Sequence, residues 1–159
     1  MEKELTRQLY NFLYNPLFLS ALASWMISQL LKVIIGLIFH SVTSTKQFLE
    51  LLFWRTGGMP SSHSALVSSV TTAIAFKNGI ASDLFVFSCC FALVVIRDSM
   101  GVRRSSGQQA KALNDLGSRV ADKLKVQFKP VKEIQGHKPI EVFAGLLLGF
   151  FIGVAFSTL

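Results

Sequence analysis

The chain has 159 residues, 51% of them apolar and only 16% charged, with a mean hydropathy of +0.49. That excludes both a disordered chain and an ordinary soluble domain, in which about a quarter of residues are charged. Sixteen Lys and Arg against nine Asp and Glu give a net charge of +7, which beside long apolar blocks indicates loops held against an anionic membrane face rather than a nucleic-acid surface.

The expected fold is all-α, an integral membrane bundle of about four transmembrane helices plus an amphipathic helix, within a single domain over residues 1–159. The first apolar block, about 16–39, is broken only by serines, Gln29 and Lys32 and is long enough to cross ~30 Å of hydrocarbon. Its Ala21-Leu22-Ala23 imitates a signal-peptidase site, but the apolar run continues well past it, so the span is expected to stay uncleaved. A second helix is predicted from Pro60, a favoured first helical position, to about residue 80. Its Ser68, Ser69, Thr71 and Thr72 suit contact with other helices. The third span is predicted over about 80–97. The adjacent Cys89 and Cys90 inside it cannot staple distant parts of a fold and leave the redox compartment open. A fourth span, about 139–156, carries Gly145, Gly149 and Gly153 at every fourth position, a smooth stripe on which another helix, including one from a second copy, could pack.

Between the third and fourth spans lies a polar, basic insert, about 98–138. Within it Ala110, Leu113, Gly117, Val120 and Leu124 recur at steps of three and four, which predicts an amphipathic helix on the bundle end or the membrane surface. With four spans, twelve Lys and Arg fall on the side that holds this insert, and three on the other. The positive-inside rule then places the crowded side in the cytoplasm and both termini outside it.

Two motifs carry chemistry. Gly57-Gly58-Met59-Pro60-Ser61-Ser62-His63-Ser64 opens the second helix. Paired glycines let backbone amides approach an anion, and a helix N-terminus offers free N–H groups and a partial positive charge, which together fit a phosphate. A simple turn capping a membrane helix would account for the glycines, Pro60 and one serine, but not for His63. In Gly136-His137-Lys138-Pro139-Ile140-Glu141, His137 and Glu141 stand four apart, so a helical turn reaching back to His137 would put both on one face. A carboxylate on one imidazole nitrogen frees the other to act, although an interfacial His beside a helix-capping Glu has the same spacing.

Pro-Ser-Ser-His at 60–63 followed by Gly-His-Lys-Pro-Ile-Glu-Val-Phe-Ala-Gly at 136–145 resembles the type 2 phosphatidic acid phosphatase and vanadium haloperoxidase superfamily. Together with Asp98, Gly101-Val102-Arg103-Arg104, Gly107, Gln109-Ala110 and Leu113-Asn114, the pattern is similar to a divergent branch of it. The resemblance implies a membrane-embedded, metal-independent phosphatase acting on a phosphomonoester or diphosphate, lipid-linked by the placement of both motifs at helix starts. It implies His137 as nucleophile through a phosphohistidine, Glu141 as its orienter, and His63 as acid for the departing alcohol. Phosphate would be held near Gly58, Ser61 and Ser62, with Asp98 and Asn114 in support.

The chain departs from that pattern in its cations. The superfamily's Lys, six residues, then Arg-Pro is absent, since Lys46 and Arg55 are separated by eight residues with no proline after Arg55, and an Arg expected six before the histidine is Val131. Arg55, Lys132, Arg103, Arg104 and Lys32 are the candidate replacements. Arg103 and Arg104 could equally be topology-setting charges, and Lys32 could snorkel to the interface. No cofactor, metal or nucleic-acid partner is expected; membrane lipids and a phosphate ester are. The alternative is a non-catalytic scaffold or anionic-lipid-binding protein that keeps the fold, and a transporter with Lys32 and Gln29 on its pathway is a third reading.

Overall fold

A computed structural model describes residues 1–39, 58–133 and 136–158. It opens with a helix that the apolar pattern did not predict, α1 (Glu2–Leu13), which buries no residue. Asn15 then starts α2 (Pro16–Ile38): its side chain accepts the Leu17 N–H at 3.1 Å, and Pro16 occupies the first helical position. Both are favoured choices at a helix start. One face of α2 repeats every fourth residue as Ser20, Ser24, Ser28, Lys32 and Gly36, all buried. Each buried serine returns its hydroxyl to its own helix, Ser20 to Leu17, Ser24 to Ala21 and Ser28 to Trp25, so this small, polar face costs no unpaired group.

That face meets α3 (Ser62–Asn78), the helix around which the others gather. It packs on α2, on α4 (Asp83–Met100) and on α6 (Pro139–Thr158). The polar residues of α3 find partners on all three: Ser69 Oγ lies 2.9 Å from Ser24 Oγ, Ser68 donates to the Leu146 carbonyl at 2.8 Å, and Thr71 donates to the Ser88 carbonyl at 3.4 Å. Pro60 is not the first helical residue. It follows a cis Met59–Pro60 bond, and Ser61 is the N-cap, because the Ser61 N–H is drawn to the Glu141 carbonyl at 2.9 Å and its side chain accepts from Ser64.

Among the described residues three helical stretches are long and apolar enough to cross a membrane: Pro16–Ile38, Asp83–Leu124 and Pro139–Thr158. The second predicted span forms its helix, α3, but with 17 residues and a polar face it falls short of the other three. Enclosure by protein explains the difference, since a helix surrounded by helices needs no continuous apolar surface.

The glycine stripe of α6 lies on α3. A Cβ at Gly145, Gly149 or Gly153 would strike the carbonyl oxygens of Ser61, Ala65 and Ser69 respectively. The helix that packs on this stripe is the chain's own α3, whose backbone comes too close for any side chain.

After Gly101 comes α5 (Val102–Leu124), which has no buried residue and, among the described helices, packs only on α4. It does not fold over the bundle end. Leu113, Val120 and Leu124 of its apolar stripe stay exposed, and the segment that follows meets the helix at two places. Phe128 lies against Gly117, and Asn114 holds Val131 by two hydrogen bonds of 2.9 Å, one to its N–H and one to its carbonyl. Asn114 also donates to Glu133 at 2.9 Å. Asn114 thus closes a hairpin of helix and returning strand-like chain, in place of a supporting contact at the histidines.

Candidate functional site

The two histidine motifs meet because the starts of α3 and α6 are pinned together. The Ser61 amide donates to the Glu141 carbonyl, and Gly145 lets the two backbones close one turn further along. His137 sits just ahead of α6, only 4% exposed, and its N–H donates to the Ser99 carbonyl at the end of α4, 3.1 Å away. Its neighbour Gly136 lies against the Arg104 backbone with no room for a Cβ. The first turn of α6 and both ends of the polar insert thereby converge at His137, whose backbone the insert's ends hold.

His137 Nδ1 lies 3.0 Å from Glu141 Oε2, and the same oxygen accepts the Lys138 N–H at 3.1 Å. With a carboxylate as partner, Nδ1 carries the proton and Nε2 keeps its lone pair. Burial pushes the His137 imidazole below its usual value, the Glu141 hydrogen bond opposes that, and the charge of Lys32 adds to the lowering. The net result is a neutral ring near pH 7, the form in which a histidine nitrogen is nucleophilic.

His63 is exposed in the first turn of α3. Arg103, His137, Lys32 and Asp98 all lie within electrostatic reach of it. Arg103 donates from Nε to Asp98 Oδ2 at 2.7 Å, with both side chains about 40% exposed. That contact fixes the guanidinium through Nε and does not use its terminal NH₂ groups. Lys32 is buried, 4% exposed, and donates to Gln29 Oε1 at 3.0 Å and to Ser62 Oγ at 3.1 Å. It does not snorkel to an interface, because protein acceptors hold it inside the bundle.

The other candidates separate. Gly58 is exposed with φ +86°, a conformation that glycine adopts freely, and so shapes the turn into Ser61. Ser61 spends its amide on Glu141 and its hydroxyl on capping α3, so it is a fastener and its N–H is not open to a phosphate. Arg104 meets the site with its backbone and has an exposed side chain. Lys132 is exposed on the segment fixed by Asn114, and Arg55 lies outside the described residues. Ser99 was not legible in advance, since it acts through its carbonyl and a main-chain contact leaves no mark on residue type. Among the described residues no group of three or more His, Cys, Asp or Glu is placed to hold a metal ion.

The arrangement joins a buried, oriented imidazole, an exposed imidazole and a half-exposed guanidinium at one end of an apolar helical bundle. Residues 13–152 match the Divergent PAP2 family. The chain belongs to that family. This Divergent PAP2 protein is also 38% identical over 153 residues, 88% of its length and 92% of the relative's, to a Bacillus subtilis (strain 168) protein described as the uncharacterized membrane protein YuiD. No solved structure matches it. Membership of the Divergent PAP2 family, the membrane-protein relative and the three apolar helices make it an integral membrane protein.

Proposed function

We propose that the protein is a membrane-embedded, metal-independent phosphatase that hydrolyses a phosphomonoester or diphosphate, lipid-linked, through a phosphohistidine on His137. The observation that carries this reading is the 3.0 Å contact between His137 and Glu141, buried beside His63 at the junction of α3 and α6. His137 Nε2 attacks phosphorus as the bond to the ester oxygen breaks, and His63 gives that oxygen its proton. Water then attacks phosphorus, His63 takes a proton from it, the P–N bond breaks, and inorganic phosphate leaves. Arg103 faces the developing charge with a planar fork held by Asp98, a geometry suited to phosphoryl oxygens. A lipid substrate follows from position, because a headgroup at the helix starts leaves its tail beside apolar helix surfaces. The basic insert would face the cytoplasm, and the termini the other side.

The test is phosphate release by the purified protein in detergent from phosphatidate, phosphatidylglycerophosphate and polyprenyl phosphates, with and without chelator. Release that persists in chelator and disappears in His137→Ala supports the reading; abolition by chelator with rescue by a divalent ion overturns it. One observation favours a non-catalytic scaffold that binds anionic lipid. Where the superfamily pattern has an arginine stands Val131, and its backbone is committed to Asn114. Absence of release from every substrate would favour that second reading.

A further inference from the structure

The helix α1 takes no part in the bundle or in the histidine site. None of its residues is buried, and among the described helices it touches only α2. Its residues are nevertheless sorted by face. Leu5, Leu9, Phe12 and Leu13 recur at steps of three and four and are all exposed, while Glu4, Arg7, Gln8 and Asn11 occupy the other side of the same helix. Glu2 falls on the apolar side, but in the first turn, where a carboxylate suits a helix start.

The place of α1 in the chain says what covers the apolar face. Only Tyr14 and Asn15 separate it from α2, which is long and apolar enough to cross a membrane. Asn15 is extended and Pro16 cannot continue a preceding helix, so α1 does not run on along the axis of α2. Asn15 also accepts from Lys77 Nζ at 3.4 Å, near the last residue of α3, which puts α1 at the end of the bundle remote from the histidines. The Phe12 ring lies 4.6 Å from that of Phe18 in the first turn of α2. The apolar face of α1 thereby continues into the outer surface of α2, where Leu22, Met26 and Leu30 are exposed and, in an integral membrane protein, meet hydrocarbon. Tyr10 and Tyr14 stack at 4.3 Å, and amphipathic rings of this kind gather where hydrocarbon gives way to headgroups.

We propose that α1 is an in-plane membrane anchor, whose Leu5, Leu9, Phe12 and Leu13 sink into the lipid boundary on the side of the bilayer away from the histidines. Its partner is the lipid surface itself. Two acids, Glu2 and Glu4, offset two bases, Lys3 and Arg7, so apolar area draws the helix in and no anionic lipid is needed. The inference is independent of the phosphatase reading.

Spin-label accessibility of the full chain in phosphatidylcholine vesicles tests it, with Cys89→Ala and Cys90→Ala removing the native thiols. Labels on Leu5→Cys, Leu9→Cys and Leu13→Cys should collide more with oxygen, which concentrates in lipid, than with a water-soluble nickel complex. Labels on Glu4→Cys and Asn11→Cys should show the reverse, so that the preference alternates with the helical period of 3.6 residues. Adding Leu9→Glu should shift the Leu5 label toward the nickel complex, and Gln8→Glu, on the polar side, should not. Phosphatidylglycerol in the vesicles should leave the pattern unchanged. Equal preference on both faces overturns the inference, as does a pattern that appears only with phosphatidylglycerol. Spin–spin broadening at Leu5, Leu9 and Leu13 that disappears on dilution with unlabelled protein would assign the face to a second copy and overturn it too.

Discussion

The Ser99 carbonyl accepts the His137 backbone N–H at 3.1 Å, so a residue in the last turn of α4 holds the main chain of the histidine that precedes α6. The position of His137 is thus shared between two helices, and its freedom to move is set by how closely their ends can approach.

Gly136 is the residue that permits that approach. Replacing it with Ala drives a Cβ into the Arg104 backbone, which cannot yield as a side-chain tip would. Gly136→Ala should cost about 1–3 kcal/mol in stability, as overpacking does, and reduce turnover by more than the loss of folded protein. Thermal unfolding in detergent beside kcat per folded molecule checks this; an unshifted Tm with normal turnover contradicts it.

His137→Ala and His63→Ala should each remove turnover almost completely, and the double variant should lose little more, because both groups serve one reaction path. Strictly additive losses, from kcat/KM of the two single variants and the double, would place the histidines in separate roles.

Arg103 and Arg104 should differ. Only Arg103 is tied to Asp98 and shown acting on both imidazoles. Arg103→Lys should lower turnover ~10- to 100-fold by removing the planar fork while keeping the charge, and Arg104→Lys should leave it near normal. Equal effects would return both residues to the role of topology charges.

The His137 ring should titrate below the ordinary ~6.5, because burial disfavours its charged form. A lowered pKa means that the ring sheds its proton at lower pH, so it stays neutral well into mildly acid conditions and charges only below them. Glu141 is the group that opposes this lowering; Glu141→Gln should therefore move the titration lower still. Ring titration by NMR of the detergent-solubilised protein decides it, and an upward shift in Glu141→Gln would show that the contact does not govern the ring.

Much of this was legible in the chain itself. The pairing of His137 with Glu141 follows from a four-residue step at a helix start, and the apolar blocks announce α2, α4 and α6. The partner of the glycine stripe did not follow, since a row of glycines specifies close approach but not which helix approaches. For α1, a short segment with mixed charge has no run of apolar residues to mark it. The repeat Ser20, Ser24, Ser28, Lys32, Gly36 was present in the first span, and read as one face it would have placed Lys32 inside the bundle. Asn114 looked like part of the histidine site because a motif records only that a residue matters, and its partners, Val131 and Glu133, are equally silent in sequence.

The polar insert departs after Ser99 and comes back at Gly136 and His137, with Ser99 bonded to His137 and Arg104 seated on Gly136. Its two ends meet, so beyond Arg103 and Arg104 the hairpin of α5 and its returning chain hangs from the bundle like a pendant on a closed clasp. Such a loop changes length at little entropic cost, because closure depends only weakly on the number of residues enclosed. A change in the number of residues that the hairpin encloses should therefore leave the clasp closed and His137 where it stands.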